Sequence, residues 1–253
     1  MHEVYHQNFL NQKETIKDII VNFDIKGSLF INGKRNKIKL FEIKEMTANV
    51  KSFKIPNLVN QVVYAFFRRS KARRSYEFAN ILIEKGIGTP QPIAYFENFK
   101  GVLYDSYYVS EQLNADLTFR ELTTDLNYPD HDKILRQFTQ FSFNLHENGI
   151  EFLDHTPGNT LIKKRADGDY DFFLVDLNRM QFHKSMTLAQ RIKNLSKLTP
   201  NRSLVEVMSD EYAKLYGKSY GEILKMMVAE TEAFRDRFYR KKRLKKQLKF
   251  WKK

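Results

Sequence analysis

Asp154-His155-Thr156-Pro157-Gly158-Asn159 is the stretch on which the reading of this chain turns, and Val175-Asp176-Leu177-Asn178 follows it after a short interval. Phe152 and Leu153 precede the first stretch and Thr160-Leu161-Ile162 follow it, a pattern of short buried strands that would hold a polar loop rigid. Phe172-Phe173-Leu174-Val175 reads as another buried strand, with Asp176 at its end. Between them, Lys163 to Asp171 contains Ala-Asp-Gly-Asp, turn chemistry that predicts a hairpin bringing the two strands side by side.

Phosphoryl transfer asks little covalent chemistry of a protein. It needs one carboxylate to orient the attacking hydroxyl and oxygen ligands to hold Mg²⁺ on the phosphates. Asp154 is the candidate base, and Asn159 and Asp176 are the candidate metal ligands. In the protein-kinase signature HRDxxxxN the base and the metal-binding Asn have the same separation as Asp154 and Asn159. That spacing also arises by chance, and Pro157-Gly158 is ordinary turn chemistry. The assignment therefore needs partners upstream.

A site of this kind uses a strand lysine for the nucleotide phosphates and a helix glutamate to hold it. Ile38 to Ile43 and Ala48 to Ile55 read as a hairpin or meander around Glu-Met-Thr, and Ala48-Asn49-Val50-Lys51 stands where the kinase VAIK motif would be. Lys51 is the candidate; Lys54, three residues on, would point to the opposite face of the same strand. From Asn57 to Lys85 the pattern becomes helical, with Leu58, Val62, Phe66 and later Phe78 and Leu82 at spacings of four. Gly86, Gly88, Pro90 and Pro92 end it. Glu77 lies in this helix and is the candidate partner of Lys51, with a solvated acid beside a basic cluster as the plain alternative. No GxGxxG loop occurs; Asn32-Gly33 reads as a tight turn, with Asn32 to Lys37 as a candidate phosphate cover.

These positions resemble the bacterial lipopolysaccharide kinase family, the Kdo/WaaP group, from roughly Lys34 to Leu198. The motifs that carry the resemblance are Ala48-Asn49-Val50-Lys51-Ser52-Phe53-Lys54, Arg73-Arg74-Ser75-Tyr76-Glu77, Gly86-Ile87-Gly88-Thr89-Pro90, His146-Glu147-Asn148-Gly149-Ile150 and Val175-Asp176-Leu177-Asn178-Arg179. The last is similar to the family's Asp-Leu-x-Arg, which takes the place of Asp-Phe-Gly. The resemblance implies an α+β, protein-kinase-like bilobal fold and ATP-dependent, Mg²⁺-dependent phosphorylation of an inner-core sugar, Kdo or heptose, on a lipid-A-linked acceptor. The expected division is a small β-rich lobe over 1–110, a larger helical lobe over 111–234 and a basic tail over 235–253.

Departures from protein kinases point the same way. Phe152-Leu153 stands in place of His-Arg, which removes the arginine that pairs with an activation-loop phosphate, and nothing like Ala-Pro-Glu follows Asp176. A sugar acceptor suits the short interval before the next predicted helix better than a peptide. The rival readings are a protein Ser/Thr or Tyr kinase, a small-molecule phosphotransferase of the aminoglycoside type, and a non-enzymatic basic binding module. His155 is set aside from the catalytic set, because a loop histidine is more often structural or solvated.

The remaining chain reads as scaffold. Tyr107 to Leu113 is a strand, Ile134 to Asn148 a helix behind the loop, and Thr187 to Leu198, Ser203 to Tyr216 and Tyr220 to Phe234 are helices. A length of 253 residues with 21 Phe and 13 Tyr is enough for one two-lobed domain with a sizeable core. With no cysteine, disulfides and thiolate metal sites are excluded. Met1 to Leu10 is polar and no apolar run is long enough to span a bilayer, so the expectation from the residues is a soluble or peripheral protein, and the resemblance implies a cytoplasmic one, peripheral on the cytoplasmic face of the inner membrane.

The net charge of +13 is unevenly distributed: residues 235 to 253 hold eleven Lys or Arg against a single Asp. On a helix, Phe234, Phe238, Leu244, Leu248 and Trp251 fall in one sector. A basic helix with aromatic anchors predicts an anionic membrane surface as partner; a merely solvated end is the plain alternative, and no nucleic-acid partner is expected. Arg68, Arg69, Lys71, Arg73 and Arg74 form a second basic cluster.

Overall fold

The structure is a computed structural model that describes residues 1–33, 36–54 and 68–250, apart from the side chains of 246 and 248–250. The chain forms two compact units, Met1–Asn114 with Phe173–Arg179, and Ala115–Phe172 with Met180–Lys253.

The first unit is built on a six-stranded antiparallel sheet. Its strands are β1 (His2–Tyr5), β2 (Ser28–Asn32), β3 (Asn36–Ile43), β4 (Met46–Phe53), β5 (Pro92–Lys100) and β6 (Val102–Glu111), ordered β1-β5-β6-β4-β3-β2. Alternation along the strands decides which face is covered. Phe41, Ile43, Ala48, Val50, Ile93 and Val109 pack with Ile16, Ile19 and Ile20 of helix α1 (Lys13–Val21) in one buried cluster. The expected hairpin around Glu-Met-Thr is β3–β4, with Ile43 opposite Met46 and Lys44 at φ 53 in the turn. β1, α1 and the 3₁₀ turn Gln7–Gln12 carry no strong periodic signal in so short a span and come to light only in the fold.

Helix α2 (Lys71–Glu84) starts at Ser70, whose side chain caps it by accepting from the Arg73 N–H at 3.0 Å. The rest of the expected helix, residues 57–67, lies outside the described residues.

The second unit contains β7 (Leu117–Thr118), α3 (Phe119–Thr124), α4 (His131–Glu147), β8 (Ile150–Phe152), β9 (Thr160–Lys164), most of β10 (Tyr170–Leu174), β11 (Met180–Phe182), α5 (Leu188–Leu195), α6 (Arg202–Tyr216) and α7 (Tyr220–Phe250). β10-β9-β7 form one small sheet, which contains the hairpin expected between residues 163 and 171. β8 pairs instead with β11, Phe152 opposite Met180. Phe119, Phe138, Ile162, Phe172, Ile192 and Tyr212 lie in one core cluster, with the Phe119 and Phe138 rings stacked at 3.8 Å.

The expected helix ending at Phe234 and the separate tail are one element. α7 runs from Tyr220 to Phe250, and after Gly221 its sequence has neither Gly nor Pro and is rich in good helix formers. Ile223 and Met227 anchor its start in the core, and from Arg235 onward its described residues are exposed.

Gly149 ends the α4 segment at φ 68, and a Cβ there would overlap the backbone carbonyl of His183, whose own N–H bonds Gly149 O at 2.8 Å. Gly168 also has positive φ, 86, but open space around it. Gly149→Ala is expected to cost about 2 kcal/mol or more and Gly168→Ala about 1 kcal/mol. Urea unfolding of the two variants checks this; equal midpoints would show that the His183 contact carries no weight.

Candidate active site

In the first unit, β4 delivers Lys51. Ala48 and Val50 turn into the core, and Lys51 shares the other face with Phe53, whose ring centre lies 5.4 Å from its ammonium. Lys54 lies just past the strand and is exposed. The Lys51 Nζ reaches Asp176 Oδ1 at 2.7 Å, with the lysine side chain 13% and the aspartate 35% exposed.

Asp176 sits at the end of β10 with φ 60, a left-handed backbone that costs a non-glycine residue on the order of 1 kcal/mol. Its surroundings impose that conformation. The Leu174 N–H donates to Gly88 O at 2.9 Å, the buried Thr89 hydroxyl donates to Leu174 O at 2.8 Å, and the Asn178 amide donates to Asp176 Oδ1 at 2.6 Å. Gly86-Ile87-Gly88-Thr89-Pro90 thus does more than end a helix: it brackets the strand that carries Asp176. Sequence reading gave no role to Thr89, a lone hydroxyl with no periodic signal, or to Asn178, although both lie within quoted motifs.

Glu77 does not hold Lys51 in this structure. Its carboxylate is taken by Arg69 and by Arg73 one turn earlier on α2, each at 2.8 Å. Two guanidinium groups close in sequence outcompete an ammonium whose own carboxylate partner is already in place. The turn after β2 is closed by the Gly33 N–H on Asn36 O at 3.0 Å; residues 34 and 35, part of the expected phosphate cover, lie outside the described residues.

In the second unit, Asp154 lies two residues past the end of β8, and Asn159 closes the 3₁₀ turn Pro157–Asn159. The Asn159 amide donates to Asp154 O at 2.8 Å and the Thr156 N–H to the same oxygen at 2.7 Å. That use of Nδ2 leaves Asn159 with its Oδ1, the atom a hard cation takes. Gly158 lets the Arg120 guanidinium lie against the turn, since a Cβ there would stand 2.8 Å from its Nη2. Arg120, outside every motif, was not legible in the sequence.

His155 is fully buried, which supports its exclusion from the catalytic set. It and His146 share one acceptor: His155 Nδ1 and His146 Nε2 both donate to Asn194 Oδ1, at 3.3 and 3.2 Å, and the Tyr212 hydroxyl donates to His146 Nδ1 at 2.9 Å. This is the tautomer pair that satisfies all three bonds. Burial pushes His146 down to about 3 and His155 to about 4; the Asn194 bonds oppose the shift, while neighbouring positive charge, Arg191 for His146 and Lys197 for His155, adds to it.

An Asp carboxylate and an Asn amide oxygen are hard donors that suit Mg²⁺, which takes its remaining ligands from phosphate and water. In the first unit Asp176 already holds a cation, the Lys51 ammonium, and its carboxylate is of the donor type the ion takes. Among the described residues no group of three or more His, Cys, Asp or Glu side chains is placed to hold a metal.

The sequence profile of the Lipopolysaccharide kinase (Kdo/WaaP) family matches residues 31–218. The chain belongs to that family. A solved structure described as WaaP in complex with acyl carrier protein superposes with a TM-score of 0.64 at 18% identity, covering 95% of this chain and 99% of that one. This establishes a shared fold for this Kdo/WaaP-family chain, an α+β kinase fold with a sheet-rich N-terminal part and a helical C-terminal part. No match is found among curated proteins. Family membership makes the chain a phosphotransferase of lipopolysaccharide biosynthesis, and all five residues singled out in the sequence lie inside the matched span.

Unfolded histidines titrate near 6.5, so below that pH the unfolded chain binds protons that folded His146 and His155 refuse. Their contribution is intact above about pH 6.5 and is lost as pH falls toward 4, on the order of 1 kcal/mol per pH unit for each ring. Urea midpoints measured at pH 7, 6 and 5 are expected to fall, and to fall less steeply in His146→Asn. A flat profile would show that the rings accept protons without penalty.

Proposed function

We propose that this chain transfers the γ-phosphoryl group of ATP to a hydroxyl of an inner-core sugar, Kdo or heptose, on a lipid-A-linked acceptor. The observation that carries the reading is the family match over 31–218, whose span includes Lys51, Glu77, Asp154, Asn159 and Asp176. In this reading Asp154 orients the sugar hydroxyl and accepts its proton as the new P–O bond forms and the bond from the γ-phosphorus to the β–γ bridging oxygen breaks, releasing ADP. Lys51 contacts the nucleotide phosphates, and Asn159 and Asp176 supply oxygens to Mg²⁺. Bound Mg²⁺ would neutralise phosphate charge and align the β- and γ-phosphates.

Glu77 enters as the second partner of Lys51. If Asp176 turns to the metal, Lys51 loses its carboxylate, and Glu77 on α2 takes it at the expense of its pairs with Arg69 and Arg73.

Asp154→Asn is expected to lower kcat by about 10²- to 10⁴-fold, while Lys51→Ala and Glu77→Gln raise the KM for ATP. Full transfer by Asp154→Asn would sink the catalytic assignment, and an unchanged KM in Glu77→Gln would remove that residue from the site. Mass spectrometry of lipopolysaccharide from cells with and without the protein identifies the acceptor: loss of one phosphate on an inner-core sugar is the expected result. An unchanged glycolipid with labelled phosphate in protein would favour a protein kinase.

The tail reads as an electrostatic contact with an anionic membrane, the surface that holds a lipid-A-linked acceptor. No helix among the described residues is long and apolar enough to cross a membrane. Phe238, Tyr239 and Leu244 are about half exposed. Arg237, Lys241 and Lys245 share the sector of Phe238 and Leu244, so the apolar face is interrupted by charge and adsorption outweighs insertion. Vesicles containing anionic lipid are expected to bind the full chain at low salt and release it at high salt, with binding lost on truncation after Phe234. Salt-insensitive binding would reject this account; binding only to an acidic protein, such as the acyl carrier protein named with WaaP, would replace it.

A further inference from the structure

The backbone that carries Asp154 is gripped at three consecutive carbonyls. Asn194, at the end of α5, donates its amide to Phe152 O at 2.8 Å. Lys197, one helical turn further on, donates its ammonium to Leu153 O at 2.7 Å. Asn159 takes the third carbonyl, that of Asp154 itself, at 2.8 Å. β8 ends at Phe152, so the strand ladder does not orient the peptides on either side of Asp154. Because each peptide unit is planar, fixing three successive carbonyl directions fixes the backbone angles of residues 153 and 154, and with them the direction of the Asp154 Cα–Cβ bond.

The grip is itself held rigid. Asn194 is 1% exposed, and its Oδ1 accepts from both His146 and His155, which forces its Nδ2 toward Phe152 O. His155 is the residue next to Asp154, so the same amide anchors the loop on both sides of the carboxylate. Lys197 adds a charge-assisted bond, shorter and stronger than an amide would give. It also answers a gap in the sequence: where protein kinases carry His-Arg before the base this chain has Phe152-Leu153, and the cation reaches the Leu153 peptide from a distant position.

We propose that Asn194 and Lys197 are positioning residues for Asp154, holding its carboxylate in the orientation that phosphoryl transfer requires. This rests on the reading of Asp154 as the base. A displacement of about 1 Å at a reacting group costs on the order of 10²-fold in rate, which sets the size of the effect.

Asn194→Ala would strand two buried histidine N–H groups and is expected to compromise folding, so the test rests on Lys197. With γ-labelled ATP and inner-core lipopolysaccharide freed of phosphate as acceptor, Lys197→Met in the full chain is expected to lower kcat by about 10- to 100-fold. The KM for ATP is expected to stay unchanged, and Lys197→Arg to recover most of the rate. In an Asp154→Asn background, Lys197→Met is expected to cost nothing further, because residues that act as a unit are non-additive. An equal loss in both backgrounds, a loss carried by the KM for ATP, or no loss at all would overturn the proposal while leaving Asp154 in place. Full activity of Asp154→Asn alone would instead remove the reading on which it stands.

Discussion

The ion pair between Lys51 and Asp176 joins a central sheet strand to a segment 125 residues later, and the assignment of residues 173–179 to the first unit is its counterpart in the fold. A cation at 2.7 Å offsets the cost of holding a carboxylate on left-handed backbone, and the Gly88-Thr89 bracket keeps that backbone from relaxing. Each part depends on the others. Without the bracket Asp176 would leave its strained conformation, and without Lys51 its charge would lose the partner that makes the conformation tolerable.

The second unit solves a different problem with neutral groups. The loop that carries Asp154 makes short-range backbone bonds of its own, and side chains from α5 and the following turn add to them. The buried histidines act as donors to Asn194, and burial keeps them uncharged at neutral pH. That arrangement ties stability to pH through residues with no part in the chemistry. The bonds to Asn194 sit among Phe138, Phe152 and Tyr212, where low dielectric strengthens each of them.

Much of this was legible in the sequence. The β3–β4 hairpin, β9 and β10, α4 and the Asp-Leu-Asn-Arg motif follow from alternation, turn residues and period, which are local properties. The small elements β1, β7 and α3 are too short for any period to show. The Ser70 cap at the start of α2 is a single side-chain bond that apolar spacing does not report. The end of α7 was misread because a change in charge was taken for a boundary, although charge alone does not break a helix.

What the sequence by itself determined was the inventory: Lys51 on a strand, Glu77 on a helix, Asp154 and Asn159 in a polar loop and Asp176 after a buried strand, all within the span of the family match. The tertiary structure decided the pairings. Lys51 is held by Asp176 and Glu77 by two arginines, and Asn194 and Lys197 grip a loop some 40 residues before them. The physical reason is range. Periodicity reports which side of an element is buried, but a hydrogen bond is decided within about 3 Å, and only the folded chain brings residues far apart in sequence to that distance.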